Sequence, residues 1–162
     1  MNIKQAIVSF LLLALVSSCE KPTQFSKLAL NDALESLEGK NIQFKEIINQ
    51  YKGKKVVIDV WASWCSDCIK SLPDVIKFQE TNPKIVFLFL SIDRNTKAWK
   101  KAINKYKIKG EHYYLNNGMD GDFGDFLNSN WTPRYMVLDE QSNIVLFKAT
   151  KISDKRIKKL LQ

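Results

Sequence analysis

Cys65 and Cys68, separated by two residues, are the side chains of this chain best placed to do chemistry. A predicted strand over residues 55–61, with the continuous apolar run Val56-Val57-Ile58, leads into them, and an amphipathic pattern typical of a helix follows them. A strand that turns into a helix places such a pair at the helix N-terminus, where the helix dipole favours a thiolate. The spacing therefore predicts a redox pair that cycles between two thiols and one disulfide.

A metal site is the alternative use of these cysteines. A structural zinc ion needs four ligands, commonly two such cysteine pairs or cysteines together with histidines. The chain has three cysteines and one histidine, His112. We therefore predict no metal and no cofactor other than the Cys65–Cys68 disulfide. We interpret His112 as a surface or packing residue rather than a catalytic base.

Asp59 is a carboxylate inside an otherwise apolar strand. If its side chain is buried, burial raises its pKa, and an acid beneath the thiols could exchange protons with Cys68. The alternative is a solvated Asp59 that points to the edge of the sheet. We favour the buried, functional interpretation.

The first eighteen residues predict a lipoprotein signal peptide. Lys4 precedes an apolar run over residues 6–16, and small residues lead to Cys19. The run is too short to cross a bilayer as a helix, which takes about 20 residues. Cys19 resembles the lipidated cysteine of bacterial lipoproteins; the alternative is an ordinary secretion signal that leaves Cys19 free. We expect an exported chain, anchored to the membrane by Cys19 and facing the periplasm or extracytoplasmic space.

The composition fits one folded domain. The chain has 162 residues, 45% of them hydrophobic, which is enough for a sizeable core. The net charge of +8 comes from lysines spread over several segments, so we interpret them as solvated and predict no nucleic-acid binding. We assign residues 19–36 to a tether and N-terminal segment and residues 37–162 to one domain, and we expect a monomer.

Hydrophobic periodicity predicts an α/β domain. Because strands separated by helices call for parallel crossovers, we expect a central mixed sheet flanked by helices on both faces. The expected elements are a helix or irregular segment over 28–37, a strand over 42–44, a helix over 44–51, a strand over 55–61, a helix over 65–82, a strand over 84–93, a helix over 96–107, an extended segment over 112–115, a short helix over 122–128, a hairpin of strands 135–138 and 144–147, and a last helix capped by Ser153.

Residues 61–68 closely resemble the active-site segment of the thioredoxin superfamily. Three further features narrow the resemblance to one branch of this superfamily. They are Lys52-Gly53-Lys54 before the strand, Ser71-Leu72-Pro73 after the cysteines, and the predicted export signal at the N-terminus. The chain resembles the TlpA/ResA-like branch of extracytoplasmic thiol–disulfide oxidoreductases. The resemblance implies a thioredoxin-like fold over about residues 37–162.

The resemblance also implies a role for each matching residue. Cys65 would attack the disulfide of a partner protein, and Cys68 would resolve the mixed disulfide. Thr132-Pro133 matches the cis-proline loop of the family, and with Trp64 it would contact the substrate. Asp59 matches the buried acid of thioredoxin.

The implied activity is the reduction of protein disulfides, for which apocytochrome c before haem attachment is one candidate substrate. A membrane electron donor would re-reduce the pair, since no nucleotide or flavin fingerprint is present. Ser66-Asp67 departs from the Gly-Pro or Glu-Pro common in the family. Asp67 should raise the thiol pKa of Cys65, with Lys70 partly opposing, and so favour a reducing potential. A disulfide oxidase or isomerase and a redox-inactive binding module remain alternatives.

Overall fold

The computed structural model describes residues 21–161. The predicted signal peptide and Cys19 lie outside these residues. None of the described helices has the length and hydropathy needed to span a membrane. In chain order, the elements are α1 (Lys27–Asn31), β1 (Ala33–Ser36), β2 (Asn41–Gln43), α2 (Phe44–Asn49), β3 (Val56–Trp61), α3 (Ser66–Thr81), β4 (Val86–Ser91), α4 (Thr96–Tyr106), β5 (Glu111–Leu115), a 3₁₀ turn (Gly118–Asp120), α5 (Asp122–Leu127), β6 (Arg134–Leu138), β7 (Ile144–Ala149) and α6 (Lys155–Leu161).

A seven-stranded mixed sheet organises the fold, in the order β2-β1-β5-β4-β3-β6-β7. Strands β3, β4 and β5 pair in parallel, and the remaining pairs are antiparallel. Helices cover both faces, so the predicted α/β class and mixed sheet are confirmed. The sheet places β3 between β4 and β6, and the segment that follows β3 carries the two cysteines.

Alternate residues of β3 contribute to two separate cores. Val57 and Trp61 pack in a cluster with side chains of α3, α4 and α6. Ile58 and Val60 pack on the opposite face with side chains of α1, α2 and α5. Because side chains alternate along a strand, Asp59 lies on the first face, which α3 covers.

The N-terminal segment differs from the prediction. The helical spacing over 28–37 is realised only in α1, and the next residues form β1, which pairs with both β2 and β5. The folded unit therefore begins before residue 37, and residues 33–36, which we assigned to the N-terminal segment, belong to the sheet. Local periodicity could not reveal a strand whose partner β5 lies about eighty residues further along the chain.

The start of the last helix also differs from the prediction. Helix α6 begins at Lys155 rather than directly after Ser153. The carboxylate of Asp154 accepts a hydrogen bond from the backbone N–H of Arg156 at 2.9 Å. Asp154 therefore takes the capping role that we assigned to Ser153, since a carboxylate also interacts favourably with the helix dipole.

Gly110, which precedes β5, should tolerate no side chain. Its φ is +140°, and an added Cβ would lie 2.8 Å from the Phe89 ring and 2.9 Å from the Phe87 carbonyl oxygen. We expect Gly110→Ala to lower the free energy of unfolding by about 2–3 kcal/mol in urea denaturation. Gly53→Ala is the matched control: its φ is +84°, but no atom lies within 4 Å, so about 1 kcal/mol should be lost. Equal losses in the two variants would contradict the steric explanation.

Candidate active site

The two cysteines lie at the N-terminus of α3 and are joined by a disulfide. Cys65 is the N-cap residue with extended backbone, and its Sγ accepts a hydrogen bond from the backbone N–H of Cys68 at 3.1 Å. Both cysteines belong to the core cluster beneath the helix, but Cys65 also lines a surface depression with 7% of its surface exposed, against 2% for Cys68. A partner sulfur can therefore reach Cys65 before Cys68, and the helix N-terminus would stabilise a Cys65 thiolate.

A loop from a distant part of the chain forms the opposite wall of this depression. The Thr132-Pro133 peptide bond is cis, the geometry that the family resemblance implied. The carbonyl oxygen of Thr132 lies 3.6 Å from Cys65 Sγ. Trp64 and Trp131 line the depression with 56% and 57% of their surface exposed. Two exposed indoles beside a disulfide form a surface that a polypeptide could cover.

Trp131 is a part of this surface that we did not predict. The sequence contains a signal for it, because Trp131 lies only two residues before the cis-proline. An exposed tryptophan is uncommon for so large an apolar side chain and marks an interaction surface. From sequence alone, Trp131 could equally have been a core residue.

Asp59 is buried on the α3 side of the sheet, with 3% of its surface exposed. The alternative of a solvated residue at the sheet edge is wrong, because β3 lies between β4 and β6. Burial raises the pKa of Asp59 to about 8, opposed by a hydrogen bond from Tyr135. One carboxylate oxygen, Oδ1, has no hydrogen-bond partner. The carboxyl group is therefore held largely protonated at neutral pH.

Tyr135 and Ser71 complete a polar connection that the sequence did not reveal. Tyr135 is the direct partner of Asp59 in the antiparallel pairing of β3 with β6. Its hydroxyl lies 3.2 Å from Ser71 Oγ, and Ser71 Oγ donates to the carbonyl oxygen of Cys68 at 2.8 Å. Burial raises the pKa of Tyr135, and the nearby Asp59 raises it further. Only the register of the two strands brings these groups together.

Asp93 is a second buried carboxylate that supports the site. It accepts hydrogen bonds from the backbone N–H of Ser63 at 3.1 Å, from the Ser63 hydroxyl and from the Ser91 hydroxyl at 2.9 Å. These bonds attach the segment before Cys65 to the end of β4. The carboxyl ends of neighbouring parallel strands meet at one edge of a sheet, so the position of Asp93 in the sequence was a usable signal.

His112 is a packing residue, as predicted. It stacks on Phe89 with 5.1 Å between the ring centroids, and its Nε2 lies 3.0 Å from the Ile108 carbonyl oxygen. Burial lowers the pKa of His112, which keeps the imidazole neutral. Within residues 21–161, no cluster of three or more histidine, cysteine or acidic side chains has the arrangement of a metal site.

A central mixed sheet, a Cys-x-x-Cys pair at a helix N-terminus and a cis-proline beside it together define a protein of the thioredoxin fold. A family model described as thioredoxin-like matches residues 53–144, which include β3, both cysteines and the cis-proline. The chain therefore belongs to the thioredoxin-like family.

Individual relatives agree with this assignment. The thiol-disulfide oxidoreductase ResA of Bacillus anthracis is 33% identical over 90 residues, which are 53% of this chain and 49% of that protein. The thioredoxin-like protein YneN of Bacillus subtilis is 26% identical over 132 residues, 79% of this chain and 73% of that protein. This chain thus spans about half the length of the ResA protein that it matches.

Solved structures show the same fold. The solution structure of a candidate thiol-disulfide oxidoreductase from Bacteroides vulgatus superposes with a TM-score of 0.68 and 29% identity, and the match covers 89% of each chain. This likeness extends over most of the chain and agrees with the thioredoxin-like fold described above.

Proposed function

We propose that this protein is a thiol–disulfide oxidoreductase that reduces disulfides of other proteins. The observation that carries the proposal is the Cys65–Cys68 disulfide at the N-terminus of α3, with Cys65 in an open depression beside the Thr132 carbonyl. The Cys65 thiolate attacks one sulfur of a substrate disulfide, and the other substrate sulfur leaves as a thiolate that takes up a proton. The Cys68 thiolate then attacks the Cys65 sulfur of the mixed disulfide. This step releases the second substrate sulfur and leaves the protein oxidised.

Asp59 serves as the base for the second step. It lies on the sheet face that α3 covers, as Cys68 does. Its pKa of about 8 is close to that of an ordinary thiol, about 8.5, so that a proton can pass between the two groups with little cost in free energy. Only the ionised fraction of Asp59, which grows as the pH rises toward 8, accepts the proton of Cys68 and thereby produces the resolving thiolate.

The substrate segment lies across the cis-proline loop. The depression that contains Cys65 is lined by Trp64 and Thr132, and the neighbouring groove, which shares Asp67 and Trp131 with it, is lined by Pro133. An extended polypeptide beside Thr132 can exchange backbone hydrogen bonds with the loop, while its side chains pack on the exposed indole of Trp64. This mode of binding recognises the backbone of the substrate and therefore suits an enzyme with several protein substrates.

The direction of transfer is reduction of the substrate. Asp67 lies in the first turn of α3 and lines the same depression as Cys65. Its negative charge disfavours the Cys65 thiolate. This effect destabilises the reduced, ionised form and makes the dithiol the stronger reductant. A disulfide oxidase or isomerase would need surroundings that stabilise the Cys65 thiolate.

The site of action is the extracytoplasmic side of a membrane, with Cys19 as the lipid anchor. Support comes from the sequence of residues 1–19, in which a segment resembling a signal peptide is followed directly by Cys19, a cysteine that is not part of the redox pair. A membrane electron donor re-reduces the Cys65–Cys68 disulfide, and one candidate substrate is apocytochrome c. Cys19→Ala should move the exported chain from the membrane fraction to the soluble fraction.

An insulin-reduction assay with dithiothreitol as the electron source tests the activity. A reductase accelerates the precipitation of insulin chains at substoichiometric protein. A redox-inactive binding module leaves the rate at the level of dithiothreitol alone. An isomerase is recognised by reactivation of a protein with scrambled disulfides at a rate that exceeds its insulin reduction.

A further inference from the structure

A chain of hydroxyl groups connects the buried Asp59 with a solvent-filled groove. Tyr135 is the cross-strand neighbour of Asp59, its hydroxyl acts on the Asp59 carboxyl group, and the same hydroxyl lies 3.2 Å from Ser71 Oγ. Ser71 lines a groove of about 690 Å³ that runs past Pro133 and the N-terminal half of α3. The two hydroxyl groups thus lie between a carboxyl group with 3% exposure and the groove along α3.

Each hydroxyl in this chain has a single proton to donate. Ser71 donates its proton to the Cys68 carbonyl oxygen, so Ser71 must accept from Tyr135. Tyr135 then has no proton left for Asp59 and can only accept a hydrogen bond from the protonated carboxyl group. When Asp59 is ionised, the order reverses: Tyr135 donates to Asp59, and Ser71 donates to Tyr135 and releases the Cys68 carbonyl.

We propose that Tyr135 and Ser71 are positioning residues that act through Asp59 and carry its proton between the buried carboxyl group and the groove. This inference rests on the proposed function, in which Asp59 accepts the proton of Cys68. Reversal of the two hydroxyls accompanies each change in the charge of Asp59. The Ser71 hydrogen bond to the backbone of Cys68 is therefore present with protonated Asp59 and absent with ionised Asp59.

The proton balance closes over one cycle of substrate reduction. Cys68 transfers its proton to Asp59 and attacks the mixed disulfide. Asp59 then donates to Tyr135, Tyr135 donates to Ser71, and Ser71 donates to water in the groove. Each hydroxyl ends with one proton, and one proton has moved from Cys68 to the groove, where the departing substrate thiolate can take it up.

The ionisable groups around Asp59 are compatible with this path. From α3, Cys65 and Cys68 face the same core, and Asp74 acts on Tyr135 from the groove side. From β5, His112 lies on the same sheet face beyond Phe89 and is kept neutral by burial. The charged residues that line the groove itself are Asp67, Lys70, Asp74, Lys148 and Lys151.

Titration of the Asp59 carboxyl group by ¹³C NMR in the oxidised full chain tests the proposal without interference from thiols. Tyr135→Phe should raise the pKa of Asp59 by about one unit, because the ionised carboxylate loses its donor. Ser71→Ala should raise it by about half a unit, because Tyr135 loses the partner that supports its reversal. Tyr114→Phe is the matched control, since it removes a phenol hydroxyl from the same core cluster outside the hydroxyl chain.

The pH profile of mixed-disulfide resolution, measured by stopped flow, supplies the functional test. In Tyr135→Phe, the part of the pH–rate profile that depends on Asp59 should move along the pH axis by the same amount as the Asp59 pKa in the NMR titration. Added to Asp59→Asn, the same substitution should not change the resolution rate further. If Asp59 has the same pKa in Tyr135→Phe as in Tyr114→Phe, the proposed role of Tyr135 and Ser71 is overturned. The proposed function is then still supported if the wild-type protein reduces insulin. A wild-type chain that shows the NMR shifts but reduces no insulin overturns the proposed function instead. Equal resolution profiles for wild type and Asp59→Asn overturn the proton transfer through Asp59.

Discussion

Replacement of Cys65 by alanine should abolish insulin reduction, with a loss of about three orders of magnitude or more relative to the wild type. Cys65 is the cysteine that lines the open depression and caps α3, whereas Cys68 does not line it and is the more deeply buried of the two. Without Cys65, a substrate disulfide meets no accessible nucleophile. The rate of insulin precipitation at pH 7 measures the effect directly.

Cys68→Ala is the matched variant and should fail in a different way. Its Cys65 still attacks a substrate, but no second thiol resolves the product, so a covalent mixed disulfide should accumulate to nearly one equivalent. Non-reducing electrophoresis and intact-mass measurement detect this adduct. If Cys65→Ala formed the adduct and Cys68→Ala did not, the assignment of attacker and resolver would be reversed.

Asp59→Asn should stabilise the oxidised protein at neutral pH. The pKa of Asp59 is raised from 3.8 to about 8, so the unfolded chain releases a proton above pH 4 that the folded chain retains. Ionisation therefore favours the unfolded state increasingly from pH 4 to pH 8. At pH 7 the difference amounts to up to about 4 kcal/mol, which the asparagine should recover. Urea denaturation at pH 4 and pH 7 measures the gain, which should be small at the lower pH.

The same substitution should slow the resolution of mixed disulfides by about 10²-fold, the usual range for loss of a general base. Removal of a group that serves catalysis at a cost in folding stability should raise the stability and lower the rate together. Asp120→Asn, at an exposed position, is the control and should change neither quantity. A destabilised Asp59→Asn protein at pH 7, or one with an unchanged resolution rate, would contradict the assignment.

The features that sequence predicted correctly are local ones. A continuous run of β-branched residues predicted strand β3. A stripe of apolar residues at helical spacing predicted the helix after Cys65. The cis geometry of Thr132-Pro133 came from the family resemblance rather than from the residues themselves. Burial of Asp59 followed from its place within an apolar strand, although its solvated alternative could be rejected only once β3 was known to be internal.

The features that sequence did not predict depend on pairing between distant segments. Tyr135 reaches Asp59 only because β6 pairs antiparallel with β3 in one particular register. A shift of one residue would turn Tyr135 to the other face of the sheet. Asp93 meets Ser63 because two parallel strands end side by side. The Tyr135 contact has no periodic or compositional signature within the segments that make it, whereas Asp93 was signalled by its place at the end of a predicted parallel strand.

The most direct test of the central claim is the reduction potential of the Cys65–Cys68 couple, measured by equilibration with glutathione or dithiothreitol buffers at pH 7. A protein that reduces the disulfides of others should have a potential near that typical of thioredoxin, about −270 mV. We expect this value because the negative charge of Asp67 opposes formation of the Cys65 thiolate. A potential near about −120 mV, the range of the strong oxidants of the superfamily, would contradict the account.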